Sequence, residues 1–335
     1  MNILVTGAGG FIGHHLVKRL KKEGNSVVGA DCKYPEFEKT QADIFFNVDL
    51  RSKNETESIF QSCDLFDEIY SLASNMGGMG FIENYKAVIM RDNALISINT
   101  LEAARKYKSR RLFFSSSACV YNTDFQKTTN NSLLSEDMAC PAMPEDGYGW
   151  EKLYTELMCK HFQEDFGIDT RVARYHNVYG PLGVWFAGRE KAPAAICRKV
   201  ILAEIDGEIE IWGDGNQTRS FMYIEDCLEG TLKIMRGNYS DPINLGSDRL
   251  ISINDLVDLA SSYENKKLKK IHIPGPIGVL GRNCNNDLIK KKFGWAPSFP
   301  LEKGLKETYF WIKKQIEKLK NNGKPVVVSS YLPDY

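Results

Sequence analysis

No stretch of this sequence approaches the roughly 20 consecutive apolar residues that a helix needs to cross a bilayer. Nor is there an excess of charge of either sign. The 43 Lys and Arg balance the 43 Asp and Glu, so net charge gives no reason to expect nucleic acid or a membrane surface as a partner. The basic residues from Lys313 to Lys324 read as one solvated helix face. Eight cysteines (32, 63, 119, 140, 159, 197, 227 and 284) include no Cys-x-x-Cys pair and no metal-type spacing. No metal is expected, and reduced thiols in a cytoplasmic protein are the plain reading. Met1-Asn-Ile-Leu-Val-Thr6 carries no charge, so no secretory leader is expected. Internal repeats and low-complexity segments are absent.

What is present is an alternation of short apolar runs with helical periodicity. Asn2–Thr6 reads as a strand and 11–22 as a helix with Ile12, Leu16, Val17 and Leu20 on one face. Between them, Gly7-Ala-Gly-Gly10-Phe11-Ile12-Gly13 is a phosphate-binding turn. Gly7 permits the turn, Gly10 lets the backbone approach a pyrophosphate, and Gly13 lets the helix pack on the strand. The helix N-terminus then offers unpaired N–H groups to the anion. A second strand, 26–30, ends at Asp31, where a carboxylate binds a ribose 2′-hydroxyl and repels a 2′-phosphate, so the expected cofactor is NAD. A third strand, 44–49, places Asp49 and Leu50 near the adenine, and a fourth covers 68–72. The glycines of Met76-Gly77-Gly-Met-Gly-Phe81 suggest a loop where backbone approaches ligand, and 90–107 a long amphipathic helix suited to a dimer.

The strand Leu112-Phe-Phe114 breaks into Ser115-Ser116-Ser117-Ala-Cys119, as a buried parallel strand does when it delivers side chains to a cleft. Tyr148 and Lys152 lie one helical turn apart, on the same face. A lysine and a positive nicotinamide beside the phenol would lower its pKa and let it take a hydroxyl proton, with Ser116 or Ser117 holding the reacting oxygen. A sixth strand, 171–175, leads to His176-Asn177, with His176 read as structural. After it the periodicity loosens. The expected fold is α/β, a Rossmann-type doubly wound parallel sheet with a smaller C-terminal α/β substrate lobe. Residues 1–175 form the NAD-binding domain, with 219–247 returning to it; 176–218 and 248–335 form the lobe.

The glycine loop, Asp31, Ser116-Ser117-x-x-Val-Tyr121, Tyr148-x-x-x-Lys152 and Asn177-Val-Tyr-Gly-Pro181 resemble the extended short-chain dehydrogenase/reductases that act on nucleotide sugars. Within that superfamily, further runs are similar to the GDP-mannose 3,5-epimerases. They are Met76–Ile82, Ser117-Ala-Cys119, Gly188-Arg-Glu190-Lys191-Ala192-Pro-Ala-Ala195, Trp212–Phe221, Ile273–Pro276, Gly281-Arg282-Asn283 and Tyr309–Lys313. The resemblance covers about residues 1–320. It departs at Phe186-Ala187, where a more polar, glycine-containing pair is expected, and over the last dozen residues.

The resemblance implies that Tyr148 and NAD⁺ oxidise C4 of the hexose of GDP-D-mannose, which acidifies the hydrogens at C3 and C5. Cys119 and Lys191 then serve as the acid/base pair for inversion, in either order, before NADH returns its hydride. The implied products are GDP-L-galactose and GDP-L-gulose, and the implied assembly is a homodimer. Substrate contacts carried over are Gly77, Ser117, Cys119, Asn177, Glu190, Lys191, Ala192, Lys199, Gln217, Arg219 and Arg282, the two arginines as diphosphate clamps or structural ion pairs. A GDP-fucose synthase-like epimerase-reductase is disfavoured because that family pairs NADPH with a histidine. A non-catalytic NAD-binding protein would be expected to have lost Tyr148 or Lys152.

Overall fold

The computed structural model describes residues 1–130 and 133–326; most of the last dozen residues lie outside them. From the N-terminus the elements are β1 (Asn2–Thr6), α1 (Phe11–Lys22), β2 (Ser26–Asp31), β3 (Ile44–Asn47), α2 (Lys53–Gln61), β4 (Glu68–Ser71), α3 (Met79–Asn84), α4 (Lys86–Lys106) and β5 (Arg111–Ser117). There follow α5 (Asp146–Phe166), β6 (Asp169–Tyr175), β7 (Asn177–Tyr179), α6 (Ala192–Leu202), β8 (Glu208–Trp212), β9 (Thr218–Tyr223), α7 (Ile224–Arg236) and β10 (Ile243–Leu245). The chain closes with β11 (Leu250–Ser252), α8 (Ile253–Ser262), β12 (Lys269–Ile273), β13 (Gly281–Arg282), α9 (Asp287–Phe293) and α10 (Leu301–Asn321).

Seven parallel strands form the main sheet in the order β3-β2-β1-β4-β5-β6-β10. Their apolar runs are those of strands covered on both faces: Ile3, Leu4, Val5, Leu112, Phe113 and Phe114 are all buried. The strand order reverses between β1 and β4, and in an open parallel sheet that reversal opens a crevice beyond the carboxyl ends of the strands. Gly7 stands at that point with φ +73°, and a Cβ there would sit 2.8 Å from the Ala73 backbone at the end of β4. Two loops diverge here with no room for a side chain.

The lobe beyond the sheet consists of β7, β11 and β13, all paired with β9, and of a separate parallel pair, β8 with β12. This corrects one expectation: of residues 219–247, β10 joins the main sheet, but β9 does not. Its partners are close at hand in the lobe, since Asn177–Tyr179 and Leu250–Ser252 flank it on either side. A second difference lies at 79–84, which form a short helix where a loop was expected. One apolar core runs through sheet and lobe alike, from Ile3, Tyr70 and Phe113 to Trp185, Ile196 and Tyr309.

Beneath the carboxyl ends of β5 and β6 lies a buried polar network. Ser116 Oγ donates to Glu156 Oε1 at 2.5 Å, and Arg174 grips the same carboxylate at 3.0 and 2.8 Å. Arg174 also donates to the Glu136 carbonyl, and Tyr121 donates to Asn244 on β10. The Glu156–Arg174 pair thus ties α5 to β6 under the Cys119 turn. Breaking a buried pair leaves an uncompensated charge, so Glu156→Leu is expected to lower stability by about 3–5 kcal/mol. Chemical denaturation of the variant checks this, with the apolar Glu156→Leu, Arg174→Met double variant expected to regain part of the loss.

Candidate active site

At the end of β1 the glycine loop closes on itself. Gly10 N–H donates to the Gly7 carbonyl at 3.0 Å, and a Cβ on Gly13 would lie 2.1 Å from that oxygen. Gly9 is equally restricted, since a Cβ there would lie 2.0 Å from the Lys33 carbonyl. The sequence reading had singled out Gly7, Gly10 and Gly13 and missed Gly9. Gly10 caps α1 without a side-chain hydrogen bond, so the first turn, with Phe11 and Ile12, keeps N–H groups for an anion. Asp31 accepts from the Gly9 amide at 3.0 Å, while burial raises its pKa against the pull of that bond and of Cys32 and Lys33. A cradle closed to side chains, an uncapped helix N-terminus and a carboxylate at the end of β2 fit a dinucleotide such as NAD. Asp49 is turned to Arg51 at 2.7 Å, and the Leu50 carbonyl accepts from Thr56 and Asn99.

Where β5 ends, Ala118–Val120 make one tight turn. The Cys119 carbonyl accepts from the Glu145 amide at 3.1 Å and lies against Gly149, whose Cβ would come within 2.2 Å of it. Gly149, between Tyr148 and the next turn of α5, is therefore what lets the Cys119 turn dock on the helix. The docking brings Cys119 and Tyr148 into one apolar cluster with Phe81, Ile82 and Ile89. Ser117 Oγ accepts from the Cys119 amide at 3.2 Å. Ser116 is committed to Glu156, which leaves Ser117 as the hydroxyl facing the phenol. Burial raises the Tyr148 pKa, with Cys119 and Glu151 adding to the rise and the Ser117 and Ser74 hydroxyls opposing it. The lowering expected from Lys152 is not delivered by the chain alone. Its buried ammonium sits 5.6 Å from the Tyr148 ring centroid and 4.8 Å from that of Phe114, with Glu151 at 3.9 Å. Among the described residues, no acceptor lies within hydrogen-bond distance of the Lys152 ammonium.

From the far end of the chain, β13 brings Arg282 onto Cys119. Its Nη1 donates to Cys119 Sγ at 3.3 Å, Nη2 to Glu145 at 2.5 Å and Nε to Gln126 at 2.7 Å. Burial works against both charges of the Arg282–Glu145 pair, but each holds the other ionised: the arginine pKa rises and the glutamate pKa falls. Between the two readings of Arg282, clamp or ion pair, the contacts are those of the ion pair. Arg219 is bound by the Thr218 and Ile277 carbonyls, and burial next to Arg282 lowers it to about 10. Lys191 is the N-cap of α6, and its ammonium feels the charges of Cys119 and Arg282. Burial lowers its pKa and Arg282 adds to the effect, while Cys119 and Cys227 oppose it. Cys119, Lys191, Arg219 and Arg282, far apart in sequence, are thus electrostatically coupled, and Cys119 clusters with Tyr148.

The remaining candidates spread outward. Gly77 is pressed against Phe81, and Ala192 opens α6. Glu190 pairs with Arg198 at 2.7 Å through one oxygen, and Gln217 bonds the Trp212 carbonyl through its amide nitrogen; among the described residues, the other Glu190 oxygen and the Gln217 oxygen are buried without a partner. Such orphan acceptors are costly unless a ligand donates to them. Asn177 is engaged with the Ser220 carbonyl and Lys199 with the Glu210 carbonyl. His176, bonded to Asn244 and pushed down to about 3 by burial, is a neutral structural group. Trp185 and Trp295 are packing residues, but Trp212 is 43% exposed above Gly80. Sequence reasoning missed Glu145, Gln126 and Phe81. Only Glu145, three residues before Tyr148, carried a signal.

Residues 3–246 match the NAD dependent epimerase/dehydratase family. The chain is 49% identical to the GDP-mannose 3,5-epimerase of Arabidopsis thaliana over 97% of its own length and 86% of that protein's. Among solved structures, it is similar to the UDP-glucose 4-epimerase of Thermotoga maritima, with a TM-score of 0.86, 26% identity and coverage of 94% of this chain and 100% of that one. The UDP-glucuronic acid 4-epimerase of Bacillus cereus, solved with UDP-glucuronic acid and NAD, gives a TM-score of 0.79 at 26% identity, covering 94% and 100%. With a doubly wound sheet, a dinucleotide cradle and a tyrosine–lysine pair at its crevice, this chain belongs to the NAD dependent epimerase/dehydratase family.

Proposed function

We propose that the chain is a GDP-mannose 3,5-epimerase, converting GDP-D-mannose to GDP-L-galactose and GDP-L-gulose. What supports this is a thiol, Cys119, that clusters with Tyr148 and is electrostatically coupled to a desolvated ammonium, Lys191. A 4-epimerase needs only the tyrosine; inversion at the carbons beside C4 needs an acid and a base as well. NAD, when bound, would supply a hydride acceptor for C4 and return the same hydride. Gly9, Gly10 and Gly13 would seat its phosphates, Asp31 its ribose, and Asp49 and Leu50 would border the adenine.

Tyr148 Oη takes the C4 hydroxyl proton, with Ser117 holding that oxygen. Cys119 Sγ and Lys191 Nζ remove and deliver protons at C5 and C3. Arg219 and the orphan oxygens of Glu190 and Gln217 face the nucleotide sugar, with Gly77, Asn177, Ala192 and Lys199 bordering it. Arg282 contributes through Cys119 and Glu145. Eight free cysteines fit a reducing compartment, the cytoplasm. Two copies pair through α4 and α5, which pack together and leave Met90, Leu95, Trp150, Tyr154 and Leu157 exposed.

The deciding experiment is incubation with GDP-α-D-mannose in D₂O, followed by NMR. GDP-L-galactose deuterated at C3 and C5, with no added dinucleotide consumed, is the expected result; no exchange at either carbon would overturn the reading. Lys191→Met is expected to abolish that exchange yet stabilise the fold by about 0.5–2 kcal/mol, since a desolvated ammonium is removed. The pH dependence has a definite sign. The folded pKa of Lys191 lies below the ordinary 10.5, so the unfolded chain binds more protons in the interval between. Stability therefore gains with pH there through this group, a slope that Lys191→Met should flatten in pH-dependent melts. Trp150→Glu with Leu157→Glu should turn the dimer into a monomer in sedimentation runs.

A further inference from the structure

If Lys191 exchanges protons with the sugar, the loop that carries it must be held. Residues 186–191 form neither helix nor strand, and two successive residues in them are left-handed: Ala187 at φ +67° and Gly188 at φ +79°. For an alanine that conformation is strained and persists only where its surroundings impose it. This also accounts for the glycine expected in the pair Phe186-Ala187.

The surroundings come from the glycine-rich segment 76–81. Gly78 N–H donates to the Arg189 carbonyl at 3.1 Å, and a Cβ on Gly78 would lie 2.5 Å from the Glu190 carbonyl. The close approach that these glycines foreshadow is thus made to the Lys191 loop. The Arg189 guanidinium lies 4.0 Å over the Phe81 ring and donates to Asn75 at 3.3 Å. Asn75 is held by Asn93 at 2.6 Å and Asp92 at 3.2 Å. Phe81 is buried in the cluster that contains Cys119 and Tyr148. On the other side of Lys191, Glu190 is anchored by Arg198 and the lysine carbonyl begins α6. One aromatic ring therefore touches the thiol side of the site with one part and the lysine loop with its face.

We infer that Gly78, Phe81 and Arg189 form a latch that sets the position of the Lys191 ammonium relative to the Cys119 sulfur. Arg189 is a positioning residue, and the step it governs is proton exchange at C3 and C5 rather than oxidation at C4. The inference rests on the epimerase reading. The stacking of the half-buried Arg189 guanidinium on the Phe81 face, with its bond to Asn75, opposes the strain at Ala187.

The test uses the NAD-loaded chain and GDP-α-D-mannose in D₂O, comparing the parent with Arg189→Met, Arg189→Lys and Gly78→Ala. With Arg189→Met, deuterium incorporation at C3 and C5 should fall about 10–100-fold, as expected for a reacting group displaced by an ångström. KM should be little changed, and the near-ultraviolet absorbance of the reduced dinucleotide should build up, because C4 oxidation continues while proton exchange waits. Reductive methylation of Lys191, read by mass spectrometry, should rise several-fold; Arg189→Lys should recover part of both effects, and Gly78→Ala should reproduce the loss. Unchanged incorporation and unchanged Lys191 labelling would overturn the latch. So would an equal fall of oxidation and exchange with a collapsed melting point. If the parent itself shows no exchange, the epimerase reading fails, and the labelling comparison still decides the latch.

Discussion

The arrangement depends on one packing constraint, the seating of the Cys119 carbonyl against the first turn of α5. The strand that ends at Ser117 belongs to the middle of the sheet, while Tyr148 and Lys152 ride on a helix that begins some 30 residues later. Nothing in either element alone relates the thiol to the phenol. The Glu145 amide and the bare Cα of Gly149 do so, by accepting the carbonyl into the helix groove at a distance a side chain would forbid. Once that contact is made, the geometry of Ser117, Cys119, Tyr148 and Lys152 follows from the rigid repeat of the helix and the pleat of the strand.

Charge is the second organising quantity. Lys191, Arg219 and Arg282 gather around Cys119 with Glu145 as the principal opposing carboxylate, all of them desolvated. Such an excess of buried cations is unfavourable for the chain alone and shows in the depressed pKa values of Lys191 and Arg219. It becomes favourable when a diphosphate or a developing enolate brings negative charge to the same place, because a water-poor site strengthens each attraction. On the proposed function, the folded chain stores instability where the nucleotide sugar is to bind.

How far the sequence foretold this depends on whether the signal was local. The glycine turn, Asp31 and the Tyr148–Lys152 spacing are short-range patterns whose mechanics require those residues in that order, and the doubly wound class was legible from the alternation of strands and helices. Arg282 and Lys191 gave no local sign, and their roles were carried by resemblance alone. Gln126 gave none, because its hydrogen bond to Arg282 spans 156 positions. The pairing of β9 was misread for a related reason: an apolar strand fits either sheet, and only its neighbours in space choose. Gly78 marked a close approach, but a glycine does not say to what, and here the partner is another stretch of backbone.

The phenol sets a final condition on all of this. In the chain alone burial keeps the Tyr148 pKa above its ordinary value, and Lys152, held over aromatic rings, does not bring it down. A positive charge brought close to a buried phenol favours the phenolate, and the low local dielectric strengthens that pull. Oxidised dinucleotide carries such a charge on its nicotinamide, and reduced dinucleotide does not. On the proposed role of Tyr148 as base, an oxidised dinucleotide would pull the phenol toward the phenolate and a reduced one would not. The same burial that makes Tyr148 a poor base by itself would then make its basicity follow the redox state of the cofactor, as the proposed reaction, with opposite transfers at one carbon, requires.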